Sequence, residues 1–316
     1  MNLSKEEILS LLAGEEAKLF SRADAVRERE KGSFVEVRAL LEFSNYCHRL
    51  CRYCGLNAEN RNLSRFRLEP SEVISLSTEA ASAGYRTVVL QSGEDRSYSP
   101  ETIGEMVREI KKSGIAVTLS CGEYPREVYA HWRDCGADRY LLKHETADPA
   151  LYRQLHPDST LDNRLRCLRD IKELGYETGG GFMVGLPGET LETVADNLLL
   201  LQELGCDMAG IGPFLPHPDT PLGDAAPGSG ELTRRAVAVA RLLLPQANLP
   251  ATTALTVLEG DRSVFSCGAN VIMKKITPGP CKKLYQIYPA EFPDADIPQG
   301  RREVEAEIRS YGRTPR

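Results

Sequence analysis

Residues 43–60 read FSNYCHRLCRYCGLNAEN, which sets Cys47, Cys51 and Cys54 in a CxxxCxxC run with Tyr53 directly before the last cysteine. Three thiolates at this spacing can hold three irons of a 4Fe-4S cluster and leave the fourth iron open, an arrangement for chemistry rather than for storage. A structural zinc site ordinarily takes four close protein ligands, and an electron-transfer cluster ordinarily takes four cysteines. The next cysteine along the chain is Cys121. The alternative, a partial zinc site or three unrelated core thiols, has to be weighed against what flanks the run.

Working outward, a strand-like run over 35–43 leads straight into the cysteines. Beyond them, short β-branched runs alternate with helix-length segments, which argues for βαβ units and a parallel sheet. The strand candidates are 86–91, 116–120, 139–143, 178–184, 208–214, 251–257 and 270–273, making eight with the strand before the cysteines. Pro70, Pro100 and Pro125, each followed by acidic residues, suit the first turns of helices between them. Eight strands predict a complete (βα)8 TIM-type barrel, with its chemistry at the C-terminal strand ends. The expected organisation is one domain over 1–316: an N-terminal helical extension (1–32), the barrel (33–289), and a C-terminal tail and helix (290–316).

Composition narrows the partners. A net charge of −6 disfavours nonspecific binding to nucleic acid or acidic membranes, so a small substrate is expected. No 18-residue apolar run is present, and the charged first 30 residues do not read as a signal peptide, so a cytoplasmic protein is expected. Nine cysteines in such a compartment are not a disulfide framework, and Cys135, Cys167 and Cys206 read as small core residues.

Unusual residues recur at the expected strand ends. The second strand closes on Gln91-Ser92-Gly93-Glu94, where a glycine allows close backbone approach and a carboxylate can accept from an ammonium. Around the fourth strand, alternation puts Arg139, Leu141 and Lys143 on one face, and Glu145 follows where ribose hydroxyls could be bound. An inward Arg139 would need an anionic partner, either a ligand or a neighbouring carboxylate on the barrel floor. Arg164 opens the next helix and could clamp a carboxylate. Gly179-Gly180-Gly181 allow a cofactor or another backbone to come close. Thr252 and Thr253 offer hydroxyls to an anion, though threonine is also a good strand former. Cys281, Tyr285 and Tyr288 are spaced for one helix face.

These blocks, together with GYETGGGFMVGLPGET, MAGIGPFLPHPDTPL and LYQIYP, resemble the radical S-adenosylmethionine (SAM) enzymes and, within them, the HydE family of FeFe-hydrogenase maturases. Biotin synthase and methylornithine synthase (PylB) are more distant likenesses. The resemblance implies one 4Fe-4S cluster on Cys47, Cys51 and Cys54, and SAM surrounded by Tyr53, Gln91, Ser92, Glu94, Glu145, Arg164, Met208, Tyr285 and Tyr288. It places Arg139 and Met273 with the cluster cysteines in the catalytic set, and Arg139, Thr118, Thr252 and Thr253 around a bound anion or substrate. It further implies a cysteine-bound iron carbonyl cyanide substrate, HydG- and HydF-type maturases as partners, a ferredoxin or flavodoxin as electron donor, and a monomer. A related mutase acting on another small substrate, or a non-enzymatic iron–sulfur carrier, are the competing readings. The sequence departs from the family in two places: residues 290–296 lack the three cysteines of a second cluster, and Lys143 stands where many relatives have arginine.

Overall fold

The computed structural model describes residues 3–260, 263–293 and 295–316. Seven parallel strands form its centre: β1 (Phe34–Ser44), β2 (Thr87–Ser92), β3 (Ala116–Ser120), β4 (Arg139–Leu141), β5 (Glu177–Val184), β6 (Met208–Pro213) and β7 (Val271–Lys275). Their spatial order is β6-β5-β4-β3-β2-β1-β7, and a short C-terminal strand β8 (Thr314–Pro315) lies beside the start of β1. From Val37 onward every residue of β1 is buried, as expected where a parallel sheet is covered on both faces.

The helices start where local chemistry directs them. Pro70, Pro100 and Pro149 occupy first turns, where their missing N–H costs nothing. Ser99, Thr160 and Ser229 accept from backbone N–H groups three residues on and so satisfy donors that the helix itself cannot. Each outer helix lays an apolar stripe on the sheet, and beneath one sector of it Tyr129 meets Trp132 and Tyr140 edge to face, as Tyr140 meets Tyr176, while Trp132 and Tyr140 stack. The two N-terminal helices, Lys5–Ala13 and Glu16–Lys31, pack against the outer helices Leu191–Glu203 and Gly230–Leu243.

The expected closed (βα)8 barrel is not formed. The sheet is an open, strongly curled half-barrel of seven strands whose ends, β6 and β7, do not pair with each other. The expected strand over 251–257 is instead the helix Thr253–Glu259, with Thr252 extended at its N-cap. Between the sheet's two ends the chain makes isolated bridges only, Asn248 to Met208 and Pro250 to Val271. The physical reason lies in the segment itself: Pro250 has no N–H to donate to a ladder, and two residues later the backbone turns into a helix. The β-branched Thr252 and Thr253 suggest a strand by propensity, which tertiary context overrides.

Candidate active site

The C-terminal ends of β1 and β2 hold the cysteine loop. Asn45 donates to the carbonyls of Ser64 (2.9 Å) and Leu284 (2.8 Å), and Arg65 donates to those of Leu56 (2.8 Å) and Asn57 (2.7 Å), tying the loop down from beneath. Gly93 is needed here, because a Cβ at that position would run into the Tyr46 carbonyl and Cys47. This close approach lets the backbone N–H of Glu94 donate to Cys47 Sγ at 3.4 Å.

All three thiols face one cavity of about 350 Å³. Burial, reinforced by their mutual repulsion as thiolates, pushes Cys51 far up and Cys54 to about 12, and burial also raises Cys47. Such thiols give up their protons only to something that binds sulfur strongly, as iron does. Among the described residues no three His, Cys, Asp or Glu side chains are grouped to hold a single metal ion. Three thiols on one cavity suit a cluster with one iron per thiolate, whereas a structural zinc ion ordinarily takes four close protein ligands.

Beside the thiols lies a buried network of two arginines and two carboxylates. Arg49 Nε donates to Glu94 Oε2 (2.7 Å) and Arg49 Nη2 to Glu123 Oε2 (2.6 Å), while Arg164 Nε donates to Glu123 Oε1 (2.6 Å). Burial would raise both carboxyls. At Glu123, Arg164 and Arg49 outweigh it and hold the group below the usual range; at Glu94, burial prevails and Glu123 adds to the rise. Glu123 is thus the shared anchor of both guanidinium groups.

Across the sheet, Glu145 is the one described non-glycine residue with a left-handed backbone, at φ 67°. Its N–H donates to Gly181 O (3.1 Å), its carbonyl accepts from Met183 N (3.2 Å), and its carboxylate accepts from Lys143 Nζ (3.0 Å). A conformation costing of the order of 1–3 kcal/mol persists only where its surroundings hold it, as this bridge to β5 does. Gly181 of β5 serves the neighbouring strand, since a Cβ there would strike the Gly210 carbonyl of β6.

Of the residues singled out in the sequence, Tyr53, Gln91, Ser92, Glu94, Glu145, Arg164, Met208, Thr252, Thr253, Met273, Tyr285 and Tyr288 line this cavity together with the three cysteines. Tyr53 Oη meets His156 Nε2 at 3.0 Å, and burial pushes that histidine down to about 3, so it stays neutral. Burial pushes the Tyr285 and Tyr288 hydroxyls up, opposed in part by Gln91 and Thr253 respectively.

Arg139 and Thr118 lie outside the cavity lining. Arg139 starts β4 and is spent on Glu177 (2.6 Å) and Thr87 (3.1 Å), the carboxylate alternative considered for it above. Thr118 is its register partner on β3, one layer below the cavity-lining Ser120, and its buried hydroxyl has no partner in the structure. The cation that does line the cavity here is Lys143, two residues beyond the end of β4 and four nearer the C-terminal end than Arg139. Arg49, Glu123, Lys143, and the pair Glu42–Lys275 are the cavity or near-cavity charges that sequence reading did not assign. Arg49 lies in the cysteine stretch, Lys143 on the strand face and Glu42 in the run 35–43 read above, but none of them was given a role there.

Comparison with known proteins agrees with this geometry. Residues 41–201 match the radical SAM superfamily model. The chain belongs to the radical SAM superfamily. It is 53% identical over 276 residues to the [FeFe] hydrogenase maturase subunit HydE of Thermotoga maritima, covering 87% of this chain and 79% of the relative. Its fold matches the crystal structure of methylornithine synthase (PylB) with a TM-score of 0.88 at 27% identity, over 100% of this chain and 95% of that one. It also matches HydG, a maturase of the [FeFe]-hydrogenase, with a TM-score of 0.82 over 99% of this chain and 72% of that one; at 21% identity this likeness concerns the fold. A radical SAM enzyme closely related to HydE-type maturases uses a 4Fe-4S cluster and SAM, and the three thiols with their adjoining cavity suit both. No described helix is long and apolar enough to cross a membrane.

Proposed function

We propose that this radical SAM enzyme acts in assembly of the FeFe-hydrogenase active-site cluster, on a cysteine-bound iron carbonyl cyanide precursor. The observation that carries this reading is the 53% identity to HydE over a segment that includes both the cysteine loop and the cavity walls. When bound and reduced by one electron, the cluster and SAM supply a 5′-deoxyadenosyl radical. Cys47, Cys51 and Cys54 would hold the cluster.

The residues of this chain position the rest. Glu94 and the Ser92-Gly93 backbone would accept from the SAM ammonium, and Arg164, fixed by Glu123, would hold the SAM carboxylate. Glu145 would accept from the ribose hydroxyls, and Tyr53, its hydroxyl fixed by neutral His156, would flank the adenine. Met208, Met273, Tyr285 and Tyr288 exclude water from the reacting volume. Lys143 with Thr252 and Thr253 offers donors to an anionic group of the substrate. Arg139 has no place in this scheme, since its guanidinium lies below the cavity on Glu177.

A one-electron donor such as ferredoxin or flavodoxin, and HydG- and HydF-type maturases upstream and downstream, are the partners this chemistry needs. A second reading, a mutase of an amino-acid-type substrate, is favoured by the full-length match to methylornithine synthase. Complementation of a strain lacking its hydrogenase maturase separates the two. Restored hydrogenase activity supports the maturase; no restoration by a folded, cluster-loaded protein that still forms 5′-deoxyadenosine supports the mutase.

A further inference from the structure

One charged pair in the cavity has no part in the scheme above. Glu42, at the C-terminal end of β1, is 2% exposed, and its Oε1 lies 2.7 Å from Lys275 Nζ, at the end of β7. Thr277 completes the arrangement. Its hydroxyl accepts from the Glu42 backbone N–H (2.9 Å) and donates to Glu42 Oε2 (3.2 Å). The Lys275 ammonium sits 3.8 Å from the ring centroid of Phe292, a further cavity-lining side chain. The pair is therefore gripped on two sides by backbone-anchored or aromatic partners, and both of its members face the cavity.

An ion pair in so apolar a setting carries a desolvation cost that a packed hydrophobic pair would avoid, so it stabilises the fold weakly at best. Burial raises the Glu42 carboxyl, and Lys275 and Thr277 are the groups that oppose that rise and favour its ionised form. What such a pair does well is discriminate. Its net charge is zero, but its two ends are opposite and fixed in position. A ligand head with a carboxylate alone leaves Glu42 facing an anion, and a head with an amine alone leaves Lys275 facing a cation. Only a head carrying both charges can satisfy both ends.

We propose that Glu42 and Lys275 form a second polar subsite of the cavity, which takes the zwitterionic head of an α-amino-acid-type substrate, its carboxylate on the Lys275 ammonium and its ammonium on the Glu42 carboxylate. This rests on the reading that the cavity binds an amino-acid-bearing substrate, and it assigns the end of the cavity that recognises it. The other cavity cation, Lys143, is then left for a different anionic group of the substrate.

The test uses the reconstituted, cluster-loaded enzyme with SAM, titrated calorimetrically with three thioethers that do not compete for iron as thiols would: S-methyl-L-cysteine, 3-(methylthio)propionate and 2-(methylthio)ethylamine. The zwitterion is expected to bind at least about tenfold more tightly than either truncated analogue, the effect of losing one charge-assisted contact. In the neutral double variant Glu42→Gln/Lys275→Met the three should bind within about threefold of one another. Equal binding of all three to the wild-type enzyme overturns the proposal. So does discrimination that survives in the double variant, or that disappears in Lys143→Met instead. If the double variant does not fold, the wild-type and Lys143→Met titrations still decide. Formation of 5′-deoxyadenosine by the wild-type enzyme with dithionite is read separately: its absence sinks the radical SAM chemistry, whereas its presence without zwitterion selectivity sinks the subsite alone.

Discussion

The two ends of the curled sheet both pair arginines with glutamates, yet they use them differently. At the N-terminal end, Arg38 is bound to Glu36 (2.7 Å) and Arg139 to Glu177 (2.6 Å), each guanidinium matched to its own carboxylate. At the C-terminal end, Arg49 and Arg164 share Glu123, and Arg49 also holds Glu94. The first arrangement closes its charges off. The second leaves Arg164 and Glu94 on a cavity wall with their spare hydrogen-bonding capacity directed at whatever enters. A buried arginine is thus no sign of a site by itself; its height along the strand and the number of groups sharing its partner decide.

The largest expected effect comes from breaking the shared anchor. Glu123→Gln keeps the shape and one acceptor but removes the charge that fixes both guanidinium groups. The KM for SAM in 5′-deoxyadenosine formation should rise about 10- to 100-fold, the range for a lost hydrogen bond to a charged group. The ultraviolet–visible spectrum of the bound cluster should be unchanged, because Glu123 supplies no ligand to it. An unaltered KM would remove Glu123 from the network's function.

Arg139→Leu is the matching change at the other end. Glu177 is half exposed, so losing its partner leaves a carboxylate that water can solvate. A loss of about 1 kcal/mol in stability is expected, with the KM values for SAM and substrate within about twofold of wild type. A large change in either KM would mean that the two ends of the sheet are coupled and would break the comparison.

Why the sequence led to Arg139 rather than Lys143 is instructive. Alternation of side chains along a strand tells which residues share a face, and both do; it says nothing of their height, which follows from where the strand starts. The cysteine loop, Ser92-Gly93-Glu94 and Glu145 were legible because each is a short motif whose chemistry is local. Glu123 holding Arg49, and Lys275 meeting Glu42, were not, because those pairs are brought together only by the order of strands. The unclosed barrel escaped reading for a related reason: Thr252 and Thr253 carry the composition of a strand, while Pro250 and the turn into a helix at Thr253 decide the backbone.

A pH-dependent effect concerns two buried histidines, one at the site and one behind the sheet. His156 meets Tyr53, and His144 meets Asn197 Oδ1 at 3.1 Å; burial pushes each down to about 3. Their folded values lie below the unfolded one near 6.5, so the unfolded chain takes up protons first as the solution is acidified. The stability they contribute is fully present above pH 6.5 and is lost as pH falls toward 3, at up to about 1.4 kcal/mol per pH unit for each. His144→Asn and His156→Asn should each flatten the acid limb of stability measured by chemical denaturation between pH 4 and 6.5. If neither does, the burial of these rings is not what sets their protonation.

The smallest expected effect comes from a carboxyl that belongs to neither arrangement. Glu189 Oε2 accepts from the Gly185 N–H (2.5 Å), while its buried Oε1 has no partner in the structure. No cation offsets its burial, which raises it to about 7, in contrast to Glu123, held low by its arginines. Here the sign is reversed from that of the histidines: the folded chain holds the proton more tightly than the unfolded one. The stability from neutral Glu189 is fully present below about pH 4.5 and is lost as pH rises through about 7. Glu189→Gln, which cannot ionise, should therefore unfold at a higher temperature than wild type at pH 8.5, by the equivalent of roughly 1 kcal/mol, and show little or no gain at pH 5. The same gain at both pH values would mean that the substitution acts through packing, and a buried carboxyl without a cation would then be tolerated here as readily as one that shares two.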